Sequence, residues 1–281
     1  MKIDNKDIYI EKGRNKKMLG AIVGDIVGSI YEFNNIRTKN FMLFPPECFF
    51  TDDTVMTMAV AEALRKTKRN HFVGLDRAAI EEMQKYGQLY PDESYGMSFR
   101  AWLRSNNPRP YGSYGNGAAM RISPVAYYAN SIEEVKALSK AVTAVTHNHP
   151  EGIKGAEATD VATYMALNHK SKEEIISYIK QNYYDLNFTY EDLVKNNRFN
   201  ESCQNTVPQA IFCFEISQDF EDCLRISVSI GGDTDTMCAI SCGIAGAYYG
   251  VPEDIKNRAL SYLDKRLLKV YNDFLKKISS K

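Results

Sequence analysis

The sequence predicts an all-α protein folded as one domain, on three observations. Apolar residues recur at helical spacing. Serine–glutamate pairs stand three residues apart where helices begin. No segment alternates apolar and polar residues strictly enough for a half-buried strand. The 281 residues suffice for one large core. Lys plus Arg and Asp plus Glu both number 35, so the formal net charge is zero and no broad field draws the chain to nucleic acid or a membrane surface. No stretch reaches the ~18 consecutive apolar residues of a membrane helix. The opening MKIDNKDIYIEKGRNKK also lacks the apolar run of a signal peptide. Cys48, Cys203, Cys213, Cys223, Cys238 and Cys242 form no CxxC pair and read as buried free thiols. Together these features predict a cytoplasmic monomer with no membrane partner and no general affinity for nucleic acid.

In chain order, residues 1–16 read as a short extension and 17–281 as the domain. Gly20, Gly24 and Gly28 share one helical face, which suits close backbone packing. Glu32 falls where that helix runs out into the irregular stretch 33–50, so its carboxylate can reach a pocket. After Thr51, the residues Val55, Met56, Ala59, Val60, Ala63 and Leu64 form one apolar face. A second irregular stretch, 106–117, carries Pro108, Pro110, Gly112, Gly115 and Gly117 between Tyr111 and Tyr114; long loops in a compact domain are usually functional or disordered. Ser131 with Glu134, and Ser171 with Glu174, have the form of capping boxes. Pro208 suits the first turn of a helix running through Ile211 and Phe214. Met237 to Gly250 reads as a buried core helix ended by Val251-Pro252.

Two clusters carry chemistry. Thr51-Asp52-Asp53-Thr54 and Asp233-Thr234-Asp235-Thr236 each open a helix, the second after Gly231-Gly232. Taken alone, the first is most simply a helix cap. Yet a cap needs one oxygen, and adjacent carboxylates repel unless protonated or shared by a cation. Every candidate ligand is a hard oxygen, which favours Mg²⁺ or Mn²⁺ over Zn²⁺ or Cu²⁺. Gly112-Ser113-Tyr114-Gly115-Asn116-Gly117, running on through Met120 to Arg121, is a loop whose backbone can approach a ligand closely. Successive amides and a helix start there can hold phosphates; an ordinary turn is the competing reading. In Thr146-His147-Asn148-His149-Pro150, a histidine near a helix start reads as a hydrogen-bonding or ligand-contacting group rather than a zinc ligand.

The segments GAIVGDIVGSIYEF, FTDDTVMTMAVAEAL, GSYGNGAAMR, THNHPEG and SIGGDTDTMCAISCGIAGAYYG, in that order, resemble the ADP-ribosylglycohydrolase family of the dinitrogenase-reductase-activating type. The resemblance implies a single orthogonal multi-helix domain with two Mg²⁺ or Mn²⁺ ions. Thr51, Asp52 and Asp53 would hold one side of that centre, and Asp233, Asp235 and Thr236 the other. Glu32, at the mouth, and Asp53 would be catalytic. Gly112 to Gly117 with Met120 would hold the diphosphate and adenosine of ADP-ribose, and His147 would lie near the distal ribose. VGSIYE and GSYGNGAAMR are closer in wording to the branch that cleaves serine-linked ADP-ribose. That branch has an aromatic residue shortly before the loop, where this chain has Asn107-Pro108-Arg109, so the adenine platform would rest on Tyr111 or Tyr114. The implied substrate is an ADP-ribosylated protein or similar target, and the product is ADP-ribose. Two other readings stand beside this one: an inactive ADP-ribose-binding module, and a metal-dependent nucleotide phosphohydrolase.

Overall fold

The structure is a computed structural model that describes residues 18–68 and 73–280. The proposed extension, 1–16, lies outside the described residues. The helices, in chain order, are α1 (Gly20–Gly28), α2 (Asp52–Lys66), α3 (Leu75–Leu89), α4 (Met97–Leu103), α5 (Gly117–Met120), α6 (Pro124–Tyr128), α7 (Ile132–Thr143), α8 (Pro150–Leu167), α9 (Lys172–Asn182), α10 (Tyr190–Asn196), α11 (Cys203–Ile216), α12 (Phe220–Ile230), α13 (Thr234–Tyr249), α14 (Glu253–Leu260) and α15 (Lys265–Ser279). A 3₁₀ turn, Ser29–Tyr31, prolongs α1. Among the described residues there is no strand; Gly115 and Ser202 form an isolated antiparallel bridge. None of these helices is long and apolar enough to cross a membrane.

The centre of the molecule is α13, which is buried from Thr234 to Ala247 and packs against α1, α8, α11 and α12. A helix enclosed on every side must be apolar or small all round. The glycines of α1 set its closest contact. A Cβ on Gly20 would lie 2.0 Å from the Cys242 carbonyl oxygen, one on Gly24 2.2 Å from that of Cys238, and one on Gly28 2.5 Å from that of Thr234. The contacts descend one helix as they ascend the other, so the pair is antiparallel. The end of α1 therefore meets the start of α13, and two motifs about two hundred residues apart share one place. The clash is with backbone, which cannot swing aside. Gly24→Ala is expected to cost roughly 1–3 kcal/mol or more, read as a lower urea midpoint at unchanged slope.

Cap chemistry follows the sequence with two differences. Ser171 and Glu174 complete a reciprocal capping box. Ser131 accepts from the Glu134 amide, but the Glu134 carboxylate turns to Asn130, so only half of that box forms. Pro208 is not in a first turn. α11 begins at Cys203, whose amide is held by the Tyr114 carbonyl at 2.9 Å, so the helix starts five residues earlier and Pro208 lies inside it. An interior proline removes one helical hydrogen bond, and the Tyr114 anchor shows why the start is nevertheless fixed upstream. All six cysteines are buried and free.

Candidate active site

Because α1 runs into the start of α13, Glu32 reaches the second Asp/Thr cluster. Ligand oxygens of Glu32, Asp233 and Asp235 lie within 4.8 Å of one another. The first turn of α2 adds Asp52 and Asp53 to the same cleft. Thr236 bridges the halves, its hydroxyl 3.4 Å from Asp53 Oδ2.

The two clusters differ in how far capping explains them. Thr51 is the N-cap of α2, and its Oγ1 accepts from the Asp53 amide. Asp233 occupies the N-cap position of α13 but makes no side-chain cap. Its Oδ2 instead accepts from Asn116 Nδ2 at 2.7 Å. Asp53 Oδ1 is buried with no hydrogen-bond partner. Capping accounts for neither carboxylate, and a buried unpaired carboxylate oxygen is costly unless a cation meets it.

Behind the cluster stands Asp25, fully buried on α1. It accepts from the Thr51 amide at 3.0 Å, the Thr51 hydroxyl at 2.7 Å and the Thr54 amide at 3.0 Å. It fastens the start of α2 to α1 and so sets where Asp52 and Asp53 stand. Spacing along the chain does not single it out. The signal was present: a lone carboxylate in an otherwise apolar, glycine-faced helix has to be buried against donors.

The far wall of the cleft, about 890 Å³ in all, is the glycine-rich loop. Gly112, Ser113, Tyr114, Gly115, Asn116, Gly117, Met120 and His147 all line it, as do Glu32, Asp52, Asp53, Asp233, Asp235 and Thr236. Thr51 does not; it is fully buried, with its hydroxyl donated to Asp25. The loop is fastened on two sides. The Asn116 amide donates to the Glu201 carbonyl, and the Gly112 amide to Asn148 Oδ1 at 2.7 Å. A Cβ on Gly152 would sit 2.7 Å from the Ser113 carbonyl, which explains the glycine in the THNHPEG segment.

The structure narrows two expectations for this loop. Its amides are not a continuous anion cradle: those of Gly112, Gly115, Asn116, Ala118 and Ala119 are already donated to protein acceptors. The amides of Ser113, Tyr114 and Gly117 are left as the loop's available donors. The Asn116 side chain is likewise spent on Asp233 and Thr206, so it orients a carboxylate of the acidic cluster. Tyr114 is half exposed with its ring edge-on to His149 at 5.2 Å, while Tyr111 is less exposed and leans on His147. Met97, Phe99, Arg121 and the segment 199–202 also line the cleft and were not foreseen. Arg121 ends the glycine-rich motif itself; the chain neighbours of the others carry no motif, and only the fold brings them to the loop.

The electrostatics are those of crowded acid. Burial, then Asp235 and Asp52, push the Glu32 carboxyl up to about 8. Burial with Asp235 raises Asp52 to about 8 and Asp25 to about 7. Asp53 and Asp233 are raised well above the ordinary range by the same two causes. An all-oxygen donor set, a partnerless buried Asp53 Oδ1 and mutually repelling carboxylates fit a hard divalent cation.

The geometry is thus an acidic, all-oxygen cluster facing a glycine-rich loop across one cleft. The ADP-ribosylglycohydrolase family model matches residues 15–280. The chain belongs to that family. It is 25% identical to the ADP-ribosylhydrolase ARH3 of Homo sapiens over an alignment 330 positions long, gaps included, covering 89% of this chain and 90% of that protein. It is 27% identical to the ADP-ribosyl-[dinitrogen reductase] glycohydrolase of Rhodospirillum rubrum, covering 89% of each. A solved structure described as an ADP-ribosylglycohydrolase-related protein complex superposes with a TM-score of 0.70 at 22% identity, covering 96% of this chain and 99% of that one. The all-α fold is thus that of the family.

Proposed function

We propose that this protein is a hydrolase that cleaves the ribosyl glycosidic bond of an ADP-ribosylated target and releases ADP-ribose. The observation that carries the reading is the convergence of Glu32, Asp233 and Asp235 at the floor of a cleft walled by the glycine-rich loop. Family membership and relatives that act on ADP-ribosylated substrates support it. Asp52, Asp53, Asp233, Asp235 and Thr236 would hold two Mg²⁺ or Mn²⁺ ions. Bound there, such ions neutralise the clustered charge and polarise the oxygens they meet.

The chain's own residues do the rest. The Ser113 and Tyr114 amides and the His147 ring bind and orient ADP-ribose along the loop. The exposed Tyr114 ring offers the adenine platform. Asn116 holds Asp233 in place. Glu32, half-buried among like charges, holds or moves a proton beside the scissile bond, where an oxocarbenium-like state develops. Buried free cysteines support a reducing cytoplasmic setting, and we take the working unit as a monomer. The test is a panel of serine-linked, arginine-linked, polymeric and nucleic-acid-linked ADP-ribose with Mg²⁺ or Mn²⁺. Intact ADP-ribose is the expected product; AMP or inorganic phosphate would identify a phosphohydrolase, and no turnover a binding module.

The raised carboxyls also dictate a pH response. Their folded pKa values lie above the unfolded ones, so the native state holds protons that the unfolded chain releases. That contribution is favourable at low pH and is lost as pH rises towards about 8. In EDTA, the melting temperature is expected to fall between about pH 5 and pH 8. Added Mg²⁺ or Mn²⁺ should raise it, and by more at the alkaline end, where the cation displaces fewer protons. A melting temperature indifferent to both ions across this range would count against the centre.

A further inference from the structure

Arg121 is an unusual residue to find beside this cleft. Its side chain is 1% exposed, yet no carboxylate pairs with it. Its guanidinium lies over the Phe99 ring at 5.2 Å. Nη2 is 2.7 Å from the Thr146 hydroxyl and 3.3 Å from His147 Nδ1. The Thr146 hydroxyl is itself 2.7 Å from His147 Nδ1. A buried cation with no carboxylate in direct contact among the described residues, Asp52 acting on it only through space, is expensive, so its placement calls for a reason.

Donor chemistry supplies one. A guanidinium has only N–H groups and cannot accept. Nη2 must therefore donate to both Thr146 Oγ1 and His147 Nδ1, and the threonine hydroxyl, its own oxygen occupied, has Nδ1 at 2.7 Å as a much nearer acceptor for its proton than the Thr143 carbonyl at 3.5 Å. An Nδ1 facing two donors must keep its lone pair. The ring's proton then sits on Nε2, the nitrogen directed at the glycine-rich loop: a Cβ on Gly117 would lie 3.4 Å from Nε2, and one on Gly115 3.5 Å. The absence of side chains at these two glycines leaves the Nε2 edge open to the cleft that His147 lines.

We infer that Arg121 is a positioning residue for His147: through Nη2 and the Thr146 hydroxyl it holds Nδ1 as the acceptor and presents Nε2–H as a fixed donor to an oxygen of the bound ligand. The inference rests on the proposed binding of ADP-ribose only for the identity of that ligand. Burial and the neighbouring Arg121 charge also pull His147 well below its ordinary range, which keeps the ring neutral. Without Arg121 and Thr146, the two tautomers would compete and the donor would be present only part of the time.

The first test is made on the ligand-free protein. Long-range ¹⁵N–¹H spectra at neutral pH should show a protonated Nε2 and an unprotonated Nδ1 for His147. The opposite tautomer, or an imidazolium, overturns the inference. Arg121→Met and Thr146→Val should each shift the His147 nitrogen signals towards a mixture of tautomers, with Arg121→Lys restoring part of the wild-type pattern. If Arg121→Met unfolds the chain, Thr146→Val, nearly the same shape, carries the comparison. Folded variants whose signals match the wild type sink the idea. Calorimetry with ADP-ribose should then show affinity falling about tenfold in Thr146→Val, in keeping with the ~1.4 kcal/mol of one neutral hydrogen bond. Wild-type protein that shows the expected tautomer but binds no ADP-ribose would overturn the proposed function and leave the Arg121 assignment standing.

Discussion

Asp235→Ala and Asp53→Ala should each abolish turnover while leaving the helical content intact. Both carboxylates face the same cleft, and each is a hard oxygen donor that two divalent cations would need. The loss should exceed the ~10²-fold that changes in the supporting shell of a metal site typically cost. The sharper part of the expectation concerns stability. Asp235 is the charge that most raises Asp52 and Asp53, after burial itself. Removing it relieves repulsion in the cation-free protein. In EDTA at about pH 8, Asp235→Ala should therefore melt at or above the wild type, because the raised carboxyls are then being forced to ionise. With Mg²⁺ or Mn²⁺ the order should reverse, since the variant loses the stabilisation that cation binding confers. Near wild-type turnover in both variants would refute the metal assignment. A variant less stable in EDTA than the wild type would show that the carboxylate is held by protein donors rather than left for a cation.

Much of this architecture could be read in advance, and the reason is local. Apolar periodicity and caps are properties of neighbouring residues, so the helices, and the absence of strands among the described residues, follow from the chain itself. The spacing of Gly20, Gly24 and Gly28 announced a close packing, but not its partner. That the partner is α13, and that the crossing is antiparallel, is what brings Glu32 to Asp233 and Asp235. The Pro208 reading failed for a related reason. Proline tolerates a first turn, but the start of α11 is set by the Tyr114 carbonyl, a contact about ninety residues away. Asp25 and Arg121 lay inside the quoted motifs without being singled out. Each acts on another side chain, Thr51 or His147, and a role exerted through a neighbour in space has no signature in spacing. The segment 199–202 is the extreme case: an antiparallel bridge to Gly115 puts it beside the cleft, and nothing in its composition says so.

Glu32→Gln should separate binding from chemistry. The residue caps the 3₁₀ turn that prolongs α1 and opens the loop 33–50, a position that in isolation would make it a solvated helix end. Its surroundings say otherwise. It is half-buried, a ligand oxygen of it lies within 4.8 Å of those of Asp233 and Asp235, and burial, then the charges of four other carboxylates, push its carboxyl up to about 8. A group poised near neutral pH can take or give a proton at little cost, which is what general acid–base catalysis requires. Glutamine keeps the shape and loses the basic oxygen. The expected result is that ADP-ribose still binds by calorimetry, within a few-fold, while single-turnover rates fall by the ~10²–10⁴-fold typical of a lost acid or base. Two other outcomes assign different roles. If cation affinity and turnover collapse together, Glu32 is a metal ligand completing the trio with Asp233 and Asp235, and the proton is moved elsewhere. If neither binding nor turnover changes, the carboxylate contributes only to the local charge, and the catalytic role passes to Asp53.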